Sequence, residues 1–455
     1  MNPKHSTRIL FARFILLLAS SGLLQGAEPS AAVGQAAPPG PDPELAAFID
    51  KIRAVDNHSH ANSTTPGDSD SDALPLDGIV PFELPVTVRP DHPAWLAALR
   101  ALYQYPHTDL SEPHLAELRA TVQNVAKTQG ERFPTWVLDH VGTEVLLANR
   151  IAMGPGLPLP RFRWVSYVDA LMLPLSTTAE AAVTPDREKL FPLEAKLLQR
   201  YLADLKLTRI PPTLDGYLKT VISPTLEAQK AGGCLAVKFE AAYLRALDFG
   251  EASEAGARSV YAKYAEGGEP THSEYKILQD FLFHYIAREA GRLGMAVHIH
   301  AFEGVGNFYS SAGADPLLLE PTLNDPALRK TDFVIIHGGG RNFRHTGALI
   351  WKPNVYADMS LMTLIYPPTR LAEVLREWLE QFPERVLYGS DAVSLGPDMG
   401  WELAAWVASQ NARKALTLAL SEMVRAGEIS RTRAEEIATM VMRGNAARLY
   451  KLELR

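Results

Sequence analysis

The chain has 455 residues, 47% of them hydrophobic and 21% charged, which is enough apolar material for a large core. Its formal charge is −7 and no long basic stripe runs along it, which argues against a nucleic-acid surface. The single cysteine, Cys234, excludes an intramolecular disulfide and reads as a small buried hydrophobe at the start of an apolar run.

Lys4, Arg8 and Arg13 flank the start of an apolar stretch, residues 14–24, that is too short to span a bilayer. Small residues follow. This pattern predicts an export signal over residues 1–27, cleaved near Ala27, although Gln25 stands where a small residue is preferred. An uncleaved anchor is the alternative. In both cases the folded part is expected outside the cytoplasm, periplasmic or secreted, with no stable membrane span after processing. Residues 28–45, rich in Ala, Pro and Gly, read as a flexible tether.

A short helix is predicted over 45–52. From there apolar, β-branched runs alternate with amphipathic helical patterns, the signature of βα units on a parallel sheet. Eight strands are predicted, over 53–60, 144–152, 162–170, 235–240, 296–301, 333–337, 355–360 and 386–391. The sixth is apolar until its last residue, as a strand buried on both faces should be. Helices over 273–292 and 371–381 precede the fifth and eighth strands. Eight such units predict a (β/α)8 TIM barrel over residues 46–455.

A long insertion, residues 61–140, separates the first two strands and is expected to form a lid or wall over the barrel mouth. It opens with a polar loop in which Asp68, Asp70 and Asp72 alternate as in a calcium site. No Gly or terminal Glu follows at the positions that such a site requires. Helical text with Trp95, Tyr103, Tyr105 and Trp136 comes next.

Active sites of TIM barrels lie at the C-terminal ends of the strands. The ends of five predicted strands carry groups that bind metal or move protons: His58 and His60, Lys238 and Glu240, His298 and His300, His337, and Asp391. Two histidines at i and i+2 on a strand share one face and can converge on one ion. His337 precedes Gly338-Gly339-Gly340, where the backbone could approach a ligand closely.

The pattern resembles the amidohydrolase superfamily, in its amidohydrolase 2 branch of metal-dependent TIM-barrel hydrolases. The residues that carry the resemblance are His58-Ser59-His60, Lys238, His300, His337 and Asp391. Supporting strings are Lys238-Phe239-Glu240-Ala241-Ala242-Tyr243-Leu244-Arg245, Tyr388-Gly389-Ser390-Asp391-Ala392 and Gly444-Asn445-Ala446-Ala447-Arg448-Leu449-Tyr450. The Lys-x-x-x-Ala-Tyr-x-Arg stretch looks most like the amidohydrolase domain associated with glutamine-synthetase-like proteins.

The resemblance implies one or two divalent ions, zinc by preference with manganese or another ion as alternatives. Its ligands would be His58, His60, Lys238, His300 and Asp391. Lys238 is either carbamylated, as in relatives with two metals, or an ordinary lysine paired with Glu240 or Asp391. Asp391 would be the general base for a metal-activated water, and His337 a ligand or substrate contact. Arg245, His298, Arg341 and Glu240 are candidates for holding substrate, the arginines through a substrate carboxylate. The expected activity is hydrolysis of an amide, lactone or related C–N or C–O bond in a small molecule. Alternatives are a decarboxylase or hydratase on the same site, or a binding protein that has lost catalysis. Self-association into a homo-oligomer is compatible with the sequence.

Overall fold

The computed structural model describes residues 40–75, 83–251, 253–302 and 306–454. Each apolar run is a strand in it: β1 (Ala54–Ser59), β2 (Thr143–Asn149), β3 (Phe162–Tyr167), β4 (Cys234–Phe239), β5 (Ala296–His300), β6 (Phe333–Ile336), β7 (Val355–Asp358) and β8 (Val386–Leu387). They pair in parallel in sequence order. Backbone bonds close the ring: Asn57 N donates to Tyr388 O at 2.9 Å, Asp391 N to His58 O at 2.8 Å and His60 N to Ala392 O at 2.9 Å. The architecture is therefore the (β/α)8 barrel. β8 is shorter than expected because the chain beyond Leu387 stays bonded to β1 while its ladder with β7 ends.

Alternation along the strands sorts the side chains. Val334 and Ile336 of β6 join the barrel interior, while Phe333 and Ile335 join the larger core under the helices, which is why this strand reads as a continuous apolar run. The interior is apolar at its floor, where Val55, Leu147, Val165 and Ala236 meet Ala446 and Tyr450 of the C-terminal helix (Asn445–Tyr450).

The first helix, α1 (Pro43–Asp50), starts before Leu45 because Asp42 caps it, accepting from Glu44 N at 2.9 Å and Leu45 N at 3.1 Å, with Pro in the first turn. The insertion contributes α2 (Pro93–Tyr103), α3 (Glu112–Gln129) and α4 (Phe133–Val141). Their apolar faces form a second core with Met399, Trp401 and Leu403 beyond β8. Tyr103 Oη donates to Glu402 Oε1 at 2.8 Å, and Arg119 forks onto Asp398 at 2.8 and 2.7 Å. The insertion is thus a wall built against the loop after β8. The export signal and most of the tether expected at the N-terminus lie outside the described residues. Among the described residues no helix is long and apolar enough to cross a membrane.

Candidate metal centre

The pairing of β1 with β2 shifts register between Asp56 and Ser59. Such an irregularity re-aims side chains that strict alternation would place on opposite faces. Asn57 reaches the barrel floor, donating to Asp358 Oδ2 at 2.9 Å and accepting from Tyr450 Oη. The next residue, His58, also points inward: its Nδ1 is 2.8 Å from Asn149 Nδ2 and its Nε2 3.5 Å from Lys238 Nζ. His58 Nε2 and His60 Nε2 then lie 3.1 and 3.3 Å from the same oxygen, Asp391 Oδ1.

His337 and Asp391 both adopt left-handed backbone conformations, with φ of 64° and 55°. For non-glycine residues this costs about 1–3 kcal/mol and is concentrated at functional sites. His337 is held by Ser360, whose Oγ is 2.9 Å from its Nδ1, and Ser360 donates in turn to Asp358. One donor atom from each of His58, His337 and Asp391 lies within 4.8 Å of the other two, a set that fits one divalent ion. The His300 ring centroid is 4.6 Å from that of His337, and its buried Nε2 has no hydrogen-bond partner. A cation would satisfy that orphaned nitrogen.

Charge supports the same use. Burial and the neighbouring Lys238 hold His58 and His300 well below the ordinary histidine range, and burial does the same for His337. Neutral imidazoles keep a lone pair for a metal. Burial opposes ionisation of Asp391, but His337, His58 and His60 outweigh it and hold the carboxyl well below its usual range. His60 is the exception among the histidines. Burial disfavours its charge, yet hydrogen bonds to Asp391 and Asp72 raise it to about 10.

The β3–β4 side of the mouth has the opposite character. Burial lifts Asp169 to about 7 and Glu240 to about 8, with Lys238 working against the rise in both. Glu194, on α5 (Pro185–Asp204), is pushed well above its normal range by burial and by Asp169, Glu240 and Asp72. Asp169 Oδ1, Glu194 Oε2 and Glu240 Oε2 are buried without a partner.

Some expected contacts are placed elsewhere. Arg245 does not face the mouth as an open fork: it is 7% exposed, donates to Gln279 at 2.9 Å and Asp280 at 2.7 Å, and stacks on Phe249. Its guanidinium is a structural ion pair. His298 points to the floor, with Nε2 2.7 Å from Tyr450 Oη. Arg341 is exposed beyond β6. The three glycines serve packing rather than ligand approach. A Cβ on Gly338 would lie 2.3 Å from Trp378, and one on Gly340 2.3 Å from Phe302, while all three have positive φ. A cavity of about 750 Å³ lies between the insertion and the loop after β8. It includes Asn62 and Ser394 but none of the site histidines, so it adjoins the centre without containing it.

Asp169 and Glu194, at the mouth, escaped the sequence, and so did several polar strand ends. Asn149, Tyr167 and Ser360 stand at or beside the ends of β2, β3 and β7, so polar strand ends of every kind were the signal. Asp72, 3.2 Å from His60 Nδ1, comes from the insertion, where the sequence marked it only as part of a calcium-like alternation.

Residues 232–452 match the family described as Amidohydrolase, a span from the approach to β4 through the C-terminal helix. Among solved structures, the chain is similar to a Lactobacillus casei ATCC 334 protein assigned as a metal-dependent hydrolase. That pair shares 17% identity over 90% of this chain and 97% of the other, with a TM-score of 0.60. Uronate isomerase from Thermotoga maritima shares 15% identity over 90% and 96%, with a TM-score of 0.54. Glucuronate isomerase from Caulobacter crescentus shares 14% over 90% and 94%, with a TM-score of 0.58. At these identities the likeness is one of fold. No curated relative matches the chain. The family match covers just under half of the chain, and the histidine–aspartate set fits a divalent metal; neither bears on the likeness to glutamine-synthetase-associated domains.

Proposed function

We propose that this barrel is a metal-dependent hydrolase of the amidohydrolase superfamily, acting on an amide, lactone or related C–N or C–O bond of a small molecule. One observation carries the reading: His58, His60 and His337 surround one ionised carboxylate, Asp391, at the C-terminal rim of the barrel. His58, His60, His300 and Asp391 would hold the ion, for which zinc suits the nitrogen-rich donors and manganese is the alternative. A divalent ion supplies Lewis acidity toward a carbonyl and brings the pKa of water from ~15.7 toward ~7. Asp391 would accept the proton of the attacking water and return it to the leaving group. His337, oriented by Ser360, would complete the donor set or face the substrate carbonyl.

Lys238 fits best as an ammonium. A carbamate would add negative charge beside Asp169 and Glu240, whereas a cation offsets it. This favours one ion over two. A second reading follows from the same side of the site. Asp169 and Glu240, raised to about 7 and 8, can hold and release protons near neutral pH, which a decarboxylase or hydratase also needs. The signal expected at residues 1–27 would make the enzyme periplasmic or secreted.

Metal analysis of the purified protein, joined to a screen of amides, N-acyl amino acids, dipeptides, lactones and aromatic carboxylates, tests both readings. Roughly one ion per chain and turnover of an amide or lactone are expected. Decarboxylation or hydration without hydrolysis would transfer the site to the second reading. Protein that takes up no ion even on reconstitution would sink both.

A further inference from the structure

The alternating aspartates that open the insertion do not form a cation loop; each holds a different group. Asp68 Oδ2 accepts from Ser63 N at 3.1 Å and from Arg150 Nη2 at 2.6 Å. Arg150 is fully buried and also donates to Ala61 O at 3.0 Å. Asp70 takes a fork from Arg200 of α5 at 2.5 and 3.2 Å, and its carbonyl accepts from Ile151 N at 2.9 Å. Residues 61–72 are thereby pinned to the end of β2 and to α5.

Asp72 is the one that turns inward. Its Oδ1 accepts from Leu74 N at 3.1 Å, and its Oδ2 lies 3.2 Å from His60 Nδ1. Tyr167 Oη is 3.3 Å from the same nitrogen. The other ring nitrogen, Nε2, faces Asp391. A carboxylate only accepts, so each ring nitrogen that faces one carries a proton; once an ion takes Nε2, the proton that stays is the one Asp72 holds on Nδ1. A neutral imidazole with its proton on Nδ1 has its lone pair on Nε2.

We propose that Asp72 is a positioning residue: it keeps the proton on His60 Nδ1 and so directs the Nε2 lone pair into the metal centre, making the pinned insertion loop part of the site. This rests on the metal-centre reading above. A carboxylate behind a ligating histidine fixes ring orientation and raises ligand basicity.

The test compares full-length Asp72→Ala, Asp72→Asn and Asp70→Asn with the parent protein. Zinc affinity is measured by competition with a chelating dye. Histidine ring ¹⁵N shifts are recorded on zinc-saturated protein, with the His60 signal identified by its loss in His60→Gln. Asp72→Ala should weaken zinc binding about 10–100-fold and move the His60 Nδ1–H signal, which loses its carboxylate acceptor. Asp72→Asn, which keeps an acceptor oxygen without the charge, should fall between, and it carries the test if Asp72→Ala fails to fold. Asp70→Asn loosens only the Arg200 tether and should bind zinc as the parent does. The proposal is overturned if folded Asp72 variants bind zinc like the parent with an unchanged His60 signal. It is also overturned if Asp70→Asn loses as much affinity as Asp72→Ala, since loop seating alone would then be the cause. Absence of zinc binding by the parent would remove the metal reading itself, whereas parent-like binding by folded Asp72 variants overturns this proposal alone.

Discussion

The two sides of the barrel mouth treat burial in opposite ways. On the side of β1, β5, β6 and β8, His58, His300 and His337 are driven neutral, His60 stays charged between two carboxylates, and Asp391 is held ionised well below its usual range. On the side of β3, β4 and α5, the carboxyls of Asp169, Glu240 and Glu194 are driven up. Desolvation acts on both; the partners differ. Asp391 has three histidines around it, while the three acids have one another and Lys238. The same lysine depresses His58 and His300 and opposes the rise of Asp169 and Glu240. Groups whose environments push them apart in this way mark acid, base and ligand roles.

The sharpest way to break that contrast is to neutralise its ionised member. Asp391→Asn should retain most of the bound ion and lower turnover by about 10²–10⁴-fold; near-parent activity would remove it as the base. Stripping the ion with a chelator should abolish turnover and lower the melting temperature. Zinc or manganese should restore both, since a ligand bound only by the folded state stabilises it by mass action. Arg245→Met tests whether this arginine belongs to the site or to the scaffold. It removes the closest guanidinium from Asp280, which is 6% exposed, and should destabilise the fold by up to about 3–5 kcal/mol, less whatever Lys276, 2.7 Å away, recovers. KM should not move. A raised KM at unchanged stability would return Arg245 to the substrate.

The smallest effect is on the acid side. Glu194 is neutral in the fold and ionises in the unfolded chain above its ordinary value of about 4.3. Its contribution is therefore a penalty, absent at lower pH, that grows as pH rises from there toward the elevated folded value. Melting temperatures of Glu194→Gln and the parent should agree near pH 4 and separate toward pH 8, with the variant the more stable. Parallel curves would mean that Glu194 is already ionised in the fold.

Strands and their order were legible because each is a short, buried, β-branched run between helical patterns. The shortening of β8 was not, because it depends on where the ladder with β7 ends. His58 and His60 could be paired from spacing alone, yet they do not meet Asp391 by simple alternation: Asn57 and His58 both turn inward across a register shift. Arg245 read as a mouth residue because it follows β4, and its partners, Gln279 and Asp280, lie on the helix His272–Arg292. The glycine run after His337 read as room for a ligand, and Trp378, Pro316 and Phe302 fill that room.

Local patterning determined the barrel and the chemical types at its strand ends, because burial on a strand has period two and tolerates polar groups only at the rim. Tertiary structure alone decided which of those groups meet. Closure of β8 on β1 brings Asp391 to His58 and His60, and the path of a loop pinned by Arg150 and Arg200 brings Asp72 to the other side of His60. Such contacts depend on how distant segments seat against one another, and a propensity read a few residues at a time carries no record of that.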